Sequence, residues 1–277
     1  MRAMPLLPLQ ALGAWAFVER NFQATKRYFG WEVAFLVYSV VNVLAVTYIA
    51  PGAQMLTGES ITTDFMILYL LIGTLVWTYL NGVFDAVSFM VSWERWEGTI
   101  EYTFMAPIRL VTMLLGTSAF SILYGLIRTV LVIAIVVLFF NLDLAGANYL
   151  TAIVFVGLGS VGFLGIGTMA SALPLLFLER GSQMTVVMQS VLLLISGIFY
   201  PVEVLPGWIQ PLAWLSPATY ILRGIRMAMI DGAGLADAWP AIWPLLIISV
   251  LSLPLGLWVF GASLRYAKRT GRLKRSG

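Results

Sequence analysis

The sequence predicts an all-α polytopic membrane protein, and three observations predict it. Charged residues make up only 10% of the 277 residues and hydrophobic residues 60%, against roughly 25% and 45–50% in soluble domains. Mean hydropathy is +0.92. Apolar stretches long enough to cross a hydrocarbon core of about 30 Å recur along the chain, separated by short polar turns. Six transmembrane helices, preceded by an interfacial helix, account for this pattern.

The first segment, residues 1–30, mixes Trp15, Phe17, Phe22 and Phe29 with Glu19, Arg20, Lys26 and Arg27. It is too polar to span and suited to lie along a headgroup layer. Arg2 is not followed by a compact apolar core and a small-residue cleavage site, so the N-terminus is expected to be retained. The transmembrane domain follows over residues 31–264. Its first span, residues 31–50, is expected to break at Pro51-Gly52. The second, residues 65–91, carries Asn81 and Asp85 near one end, and a polar segment over residues 92–109 comes next. The third, residues 111–140, holds a single charge, Arg128. Gly157, Gly159, Gly162, Gly165 and Gly167 stud the fourth, residues 150–178, and either let neighbouring helices approach or line a substrate groove.

The fifth span covers residues 184–200. Between residues 201 and 240 the chain is apolar but interrupted by Pro201, Pro206, Pro211 and Pro217, so no straight helix fits. A re-entrant hairpin before the last helix, covered by protein or lining a cavity, is the economical reading. The sixth span, residues 241–264, leads into a basic tail, residues 265–277. Lys and Arg are retained on the cytoplasmic side. Arg20, Lys26, Arg27, Arg95, Arg109, Arg180 and the tail share one face, whereas Arg223 and Arg226 fall on the other. Both termini are therefore expected in the cytoplasm and the hairpin outside. The tail is expected to anchor this topology against anionic lipid.

Three groups of side chains stand out as candidates. Glu94, Glu97 and Glu101 have helical spacing i, i+3, i+7 and would share an exposed acidic face, which either is solvated or docks a partner; Gly98 and Thr99 divide the segment. Asp85 and Arg128 are charges inside spans, expensive there and so functional by default. They would either pair across consecutive antiparallel helices or contact cargo. Phe199, Tyr200, Trp208, Trp214 and Tyr220 of the hairpin would form an interfacial belt or an extracellular gate.

The string Glu94-Arg-Trp-Glu-Gly-Thr-Ile-Glu-Tyr-Thr-Phe-Met-Ala-Pro107 resembles the Glu-Arg-x-x-Gly-Thr-Leu-Glu-x-x-x-x-x-Pro signature of the type-2 ABC exporter permeases. Ser196-Gly-Ile-Phe-Tyr-Pro201, Leu205-Pro206 and Pro217-Ala-Thr-Tyr220 are similar to a second stretch of that family. Ile100 replaces the usual Leu, and Tyr102-Thr103 stands where Leu-Leu is common. The resemblance implies that Glu94, Arg95, Glu97, Gly98, Thr99, Glu101 and Pro107 belong to a coupling helix seated in a cleft of an ATPase subunit. It implies a gate or hairpin of Phe199, Tyr200, Pro201, Pro206, Trp208, Pro217 and Tyr220.

It further implies two permease copies, expected as a homodimer, two ABC ATPase subunits and surrounding membrane lipid as partners, with no nucleic acid. The expected location is a bacterial or archaeal cytoplasmic membrane. No G-x-x-x-x-G-K-[ST] loop occurs in the chain, so ATP and Mg would be bound by the partner ATPase and no cofactor by this chain. Without any cysteine or histidine, disulfide, thiolate, haem and common zinc chemistry are excluded. An intramembrane enzyme would also need a convergent nucleophile and acid–base pair, so the chain is expected to be a non-catalytic subunit. Aromatic residues cluster near span ends, which favours export of a lipophilic or amphipathic substrate over a lipid-linked polysaccharide. A non-transporting membrane scaffold is the reading from another class.

Overall fold

The computed structural model describes residues 6–57, 63–105, 108–140, 146–177 and 180–271, and every regular element among them is helical. The protein is an all-α, multi-pass membrane protein. Helix α1 (Leu6–Arg27) ends on Lys26 and Arg27, cations that favour the negative end of the helix dipole. It buries Gly13 and Phe17 against α7 (Leu110–Val136). Gly116 of α7 is the contact point, because a Cβ there would lie 2.4 Å from the carbonyl of Ala14. Five helical stretches among the described residues are long and apolar enough to cross a membrane, namely Phe29–Met55, Phe65–Ser88, Leu110–Val136, Tyr149–Leu176 and Trp239–Arg269. The expected fifth span is the exception. It is the 15-residue helix α10 (Gly181–Ile195), about 22 Å long at 1.5 Å per residue.

The first span contains α2 (Phe29–Thr47) and α3 (Ile49–Thr57), and its interruption falls at Tyr48 rather than at Pro51-Gly52. Pro51 occupies the first turn of α3, where a helix needs no N–H donor, so it is accommodated. The second span, α4 (Thr63–Ser88), runs between what we term the hairpin end and the coupling end of the bundle. There the chain turns into α5 (Met90–Glu97) and α6 (Ile100–Met105).

The centre of the bundle is α8 (Tyr149–Ala170) packed along α13 (Trp239–Arg269). A Cβ on Gly256 would stand 2.4 Å from the Gly165 carbonyl, and Ser249 Oγ donates to the Leu158 carbonyl at 2.9 Å. Gly159, Gly162, Gly165 and Gly167 all face neighbouring helices at close range, and Gly157 faces open space. Small-residue packing explains the four that face neighbours, and does not account for Gly157. Short helix α9 (Ala172–Leu176) continues α8 toward the coupling end.

Residues 201–240 are broken as their prolines require. A 3-10 turn (Val202–Val204), α11 (Gln210–Ala213) and the amphipathic α12 (Pro217–Met229) succeed one another. Pro217 opens α12 in its first turn, where proline is favoured. The buried face of α12 packs Ile221 onto Gly159 and Gly224 onto Phe155. Helix α13 reaches Arg269, so Arg265, Lys268 and Arg269 lie on its last turns rather than in a separate tail. Its 31 residues measure about 46 Å, more than the hydrocarbon core requires, and the excess carries the basic residues into the polar layer.

Candidate functional site

Three candidate regions lie along the bundle, the first being the expected coupling segment. Helix α5 stops at Gly98, whose φ of 76° lies in the left-handed region that a Cβ disfavours. This break changes the expected acidic face. Glu97 and Glu101 are exposed, but Glu94 is fully buried at 0% exposure, because the turn at Gly98 folds α6 back over it. Its carboxylate accepts hydrogen bonds from Thr99 Oγ1 at 2.5 Å and Thr103 Oγ1 at 2.7 Å. It also forms a salt bridge with Arg20 of α1. A buried charge requires such partners, so Glu94 is an internal clasp between α1, α5 and α6.

Arg95 is buried beside it and donates to the Pro174 carbonyl of α9 at 2.9 Å; this burial lowers its pKa from the ordinary guanidinium value. Ser92 Oγ is 2.8 Å from Ser182 Oγ of α10. Lys268 of α13, expected in a lipid-anchoring tail, donates to the Phe104 carbonyl of α6 at 3.0 Å. The segment thus touches α1, α9, α10 and α13 at once, leaving Trp93, Trp96, Glu97, Glu101 and Tyr102 outward. Pro107 lies outside the described residues.

The second site is a groove of about 870 Å³ between α2, α4, α7 and α10. It follows α4 from Ala86 to Leu75, about 16 Å. Asp85 and Arg128 both line it, yet no ion pair joins them. Asp85 accepts from Gln189 of α10, and from Asn81 at 3.2 Å. Arg128 donates to the Phe35 carbonyl and to Ser39 Oγ, each at 2.6 Å. Each charge is held by amide, hydroxyl or backbone groups, as intramembrane charges require, although Arg128 Nε is buried without a hydrogen-bond partner among the described residues. Glu32, unremarked in the sequence, joins them and accepts from Tyr124. Phe35, Tyr38, Trp77, Phe120, Tyr124 and Phe199 line the same groove. Aromatic rings from separate spans thereby line one groove.

At the hairpin end, α10 closes on Gly197 with φ of 67°, and the Phe199 side chain lines the groove. Tyr200 Oη donates to the Leu194 carbonyl at 2.6 Å. The Trp214 and Tyr220 rings lie 6.0 Å apart, while Pro201, Pro206 and Trp208 are exposed at the surface of the hairpin. Arg226, placed on the outer face by the sequence, inserts between α4 and the end of α10 and donates to the Gly197, Ile198 and Tyr69 carbonyls. Only its position six residues beyond the Pro217-to-Tyr220 motif hinted at a role.

The model of the ABC-2 type transporter family matches residues 14–230. A protein of Escherichia coli (strain K12), "Probable multidrug ABC transporter permease YbhR", is 28% identical over 171 residues, 61% of this chain. The counterpart of the same name in Escherichia coli O157:H7 matches equally. The alignment covers 45% of the length of these relatives. The family match takes in the coupling segment, the groove and the hairpin junction together, and with the apolar helices that carry them it establishes that the chain belongs to the ABC-2 type transporter family, as a multi-pass permease.

Proposed function

We propose that the protein is the transmembrane subunit of an ATP-driven exporter in the cytoplasmic membrane, working as a homodimer with two ABC ATPase subunits. Both termini lie on the cytoplasmic side in this reading. The observation that carries it is the coupling segment, which presents an exposed surface to solvent while its buried face is tied to α1, α9, α10 and α13. A push on Glu97, Glu101 and Tyr102 by a closing ATPase pair would be delivered to four helices, two of them spans. The bundle would then rock against its partner copy. This chain binds no nucleotide in this scheme; ATP and Mg stay with the partner.

The cargo we infer is a lipophilic or amphipathic molecule, drug-like or lipid-like. The groove offers polar groups at its coupling end and apolar Val46, Leu75, Leu193 and Phe199 toward the hairpin, and a relative carries a multidrug permease name. The aromatic lining favours a second reading, a lipid-linked glycan stacking its sugar rings along the path. Uptake of a fluorescent amphiphile and of a lipid-linked oligosaccharide into inverted vesicles separates the two.

The decisive experiment reconstitutes the chain with the candidate ATPase in lipid. Association and stimulated ATP hydrolysis are expected for the wild type. Glu101→Ala should weaken association about tenfold, equivalent to about 1.4 kcal/mol, and Gly98→Pro should uncouple hydrolysis from transport. Failure of any ABC ATPase to associate in any lipid would return the scaffold reading.

A further inference from the structure

Two cavities take lining residues from one short stretch at the hairpin end. Gly197 lines an outer pocket of about 350 Å³ together with Tyr69, Glu203, Arg223 and Arg226, whereas Phe199 lines the large groove. The stretch 197–199 therefore runs from the lining of one cavity to that of the other. One guanidinium holds it. Arg226 Nη1 donates to the Gly197 carbonyl at 3.0 Å, and Nη2 donates to the Ile198 carbonyl at 2.6 Å and to the Tyr69 carbonyl at 3.4 Å. The guanidinium carbon stands 3.4 Å from the centre of the Tyr69 ring, a cation–π contact.

The Tyr69 carbonyl belongs to α4, whereas the Gly197 and Ile198 carbonyls lie just past the end of α10. Gly73 makes room for them, since a Cβ there would lie 2.3 Å from the Ile198 carbonyl oxygen and 2.9 Å from Arg226 Nη2. One planar fork on α12 thus joins α4 to the end of α10. An ammonium on a flexible stem does not reproduce that geometry.

We propose that Arg226 is a positioning residue that clasps residues 197–199 across the hairpin end of the groove and so keeps the groove closed to the far side until α12 moves. The proposal rests on the permease reading for its purpose, but the clasp itself is testable without an ATPase. The natural chain has no cysteine, so Leu193→Cys supplies a lone thiol in the groove, just before that stretch in the chain. Its labelling by a membrane-impermeant maleimide, added from the hairpin side of lipid vesicles, reports water access.

Arg226→Ala should speed that labelling about tenfold, the factor that losing one or two hydrogen bonds makes in an opening equilibrium. Gly73→Ala, which displaces the same segment sterically, should do the same, and Arg226→Lys should stay near the alanine rate. Ser160→Cys, at a core position only 1% exposed, reports general loosening and should remain unlabelled throughout. Labelling of Leu193→Cys at the parent rate in Arg226→Ala overturns the proposal, as does full restoration by lysine or an equal rise at Ser160→Cys. A clasp effect that appears while ATP and the ATPase leave the parent rate unchanged supports the clasp and sinks the ATP-driven exporter reading.

Discussion

Glu94 and Arg20 are unequal partners, and the inequality is measurable. Glu94 has 0% exposure while the side chain of Arg20 retains 38%. Arg20→Ala strands a buried carboxylate with two threonine hydroxyls. Its cost falls below the roughly 3–5 kcal/mol of a wholly buried pair, because water enters the vacated place. Glu94→Gln keeps the shape and releases Arg20 to solvent, at about 1–2 kcal/mol. Thermal unfolding in detergent should therefore rank Arg20→Ala as the more damaging change; equal losses would mean that the pair is solvated. The burial of Glu94 was illegible in the sequence because its principal partner lies 74 positions away. Arg226 was hidden for the same reason, since a charge beyond a span reads as an outer charge until the helix end it caps is in place. The separate partners of Asp85 and Arg128 likewise depend on helix rotation, which hydropathy does not specify.

The elements were far more legible than their contacts. Long apolar stretches announce helices whatever surrounds them, because a lipid-exposed backbone must satisfy its hydrogen bonds internally. Glycine in a polar stretch announced the division between α5 and α6, and the prolines announced a broken hairpin. Boundaries slipped where context intervenes, as at Pro51, which the first turn of α3 absorbs, and at Arg269, where α13 outruns its apolar part. The α5–α6 corner carries a direct prediction. Gly98→Ala forces a Cβ into the left-handed region at about 1–2 kcal/mol, and hydrogen exchange should rise in α5 and α6 but not in α8. At the α8–α13 contact, Gly256→Val has no space beside the Gly165 carbonyl and should prevent the two helices from packing. Limited proteolysis in membranes should then cut the chain where the wild type resists; an unchanged pattern would mean that the close approach is dispensable.

In the whole molecule, α4 links the two ends at which the chain does its work. From Tyr69, under the Arg226 guanidinium, to Ser88, beside the coupling segment, it covers about 29 Å. A tilt of this one helix would displace the coupling segment at one end and the clasp at the other. Helix α10 sets a different limit. It is only 15 residues long, and past its last turn the hairpin presents Val204, Trp208, Leu212 and Leu215 outward. Lipid around this flank would therefore meet a short rod topped by aliphatic and aromatic side chains. Longer acyl chains stretch that mismatch at a fraction of a kcal/mol per Å. Stimulated ATP hydrolysis should thus decline as phosphatidylcholine tails lengthen from about 16 to 22 carbons, making membrane thickness a brake on this permease.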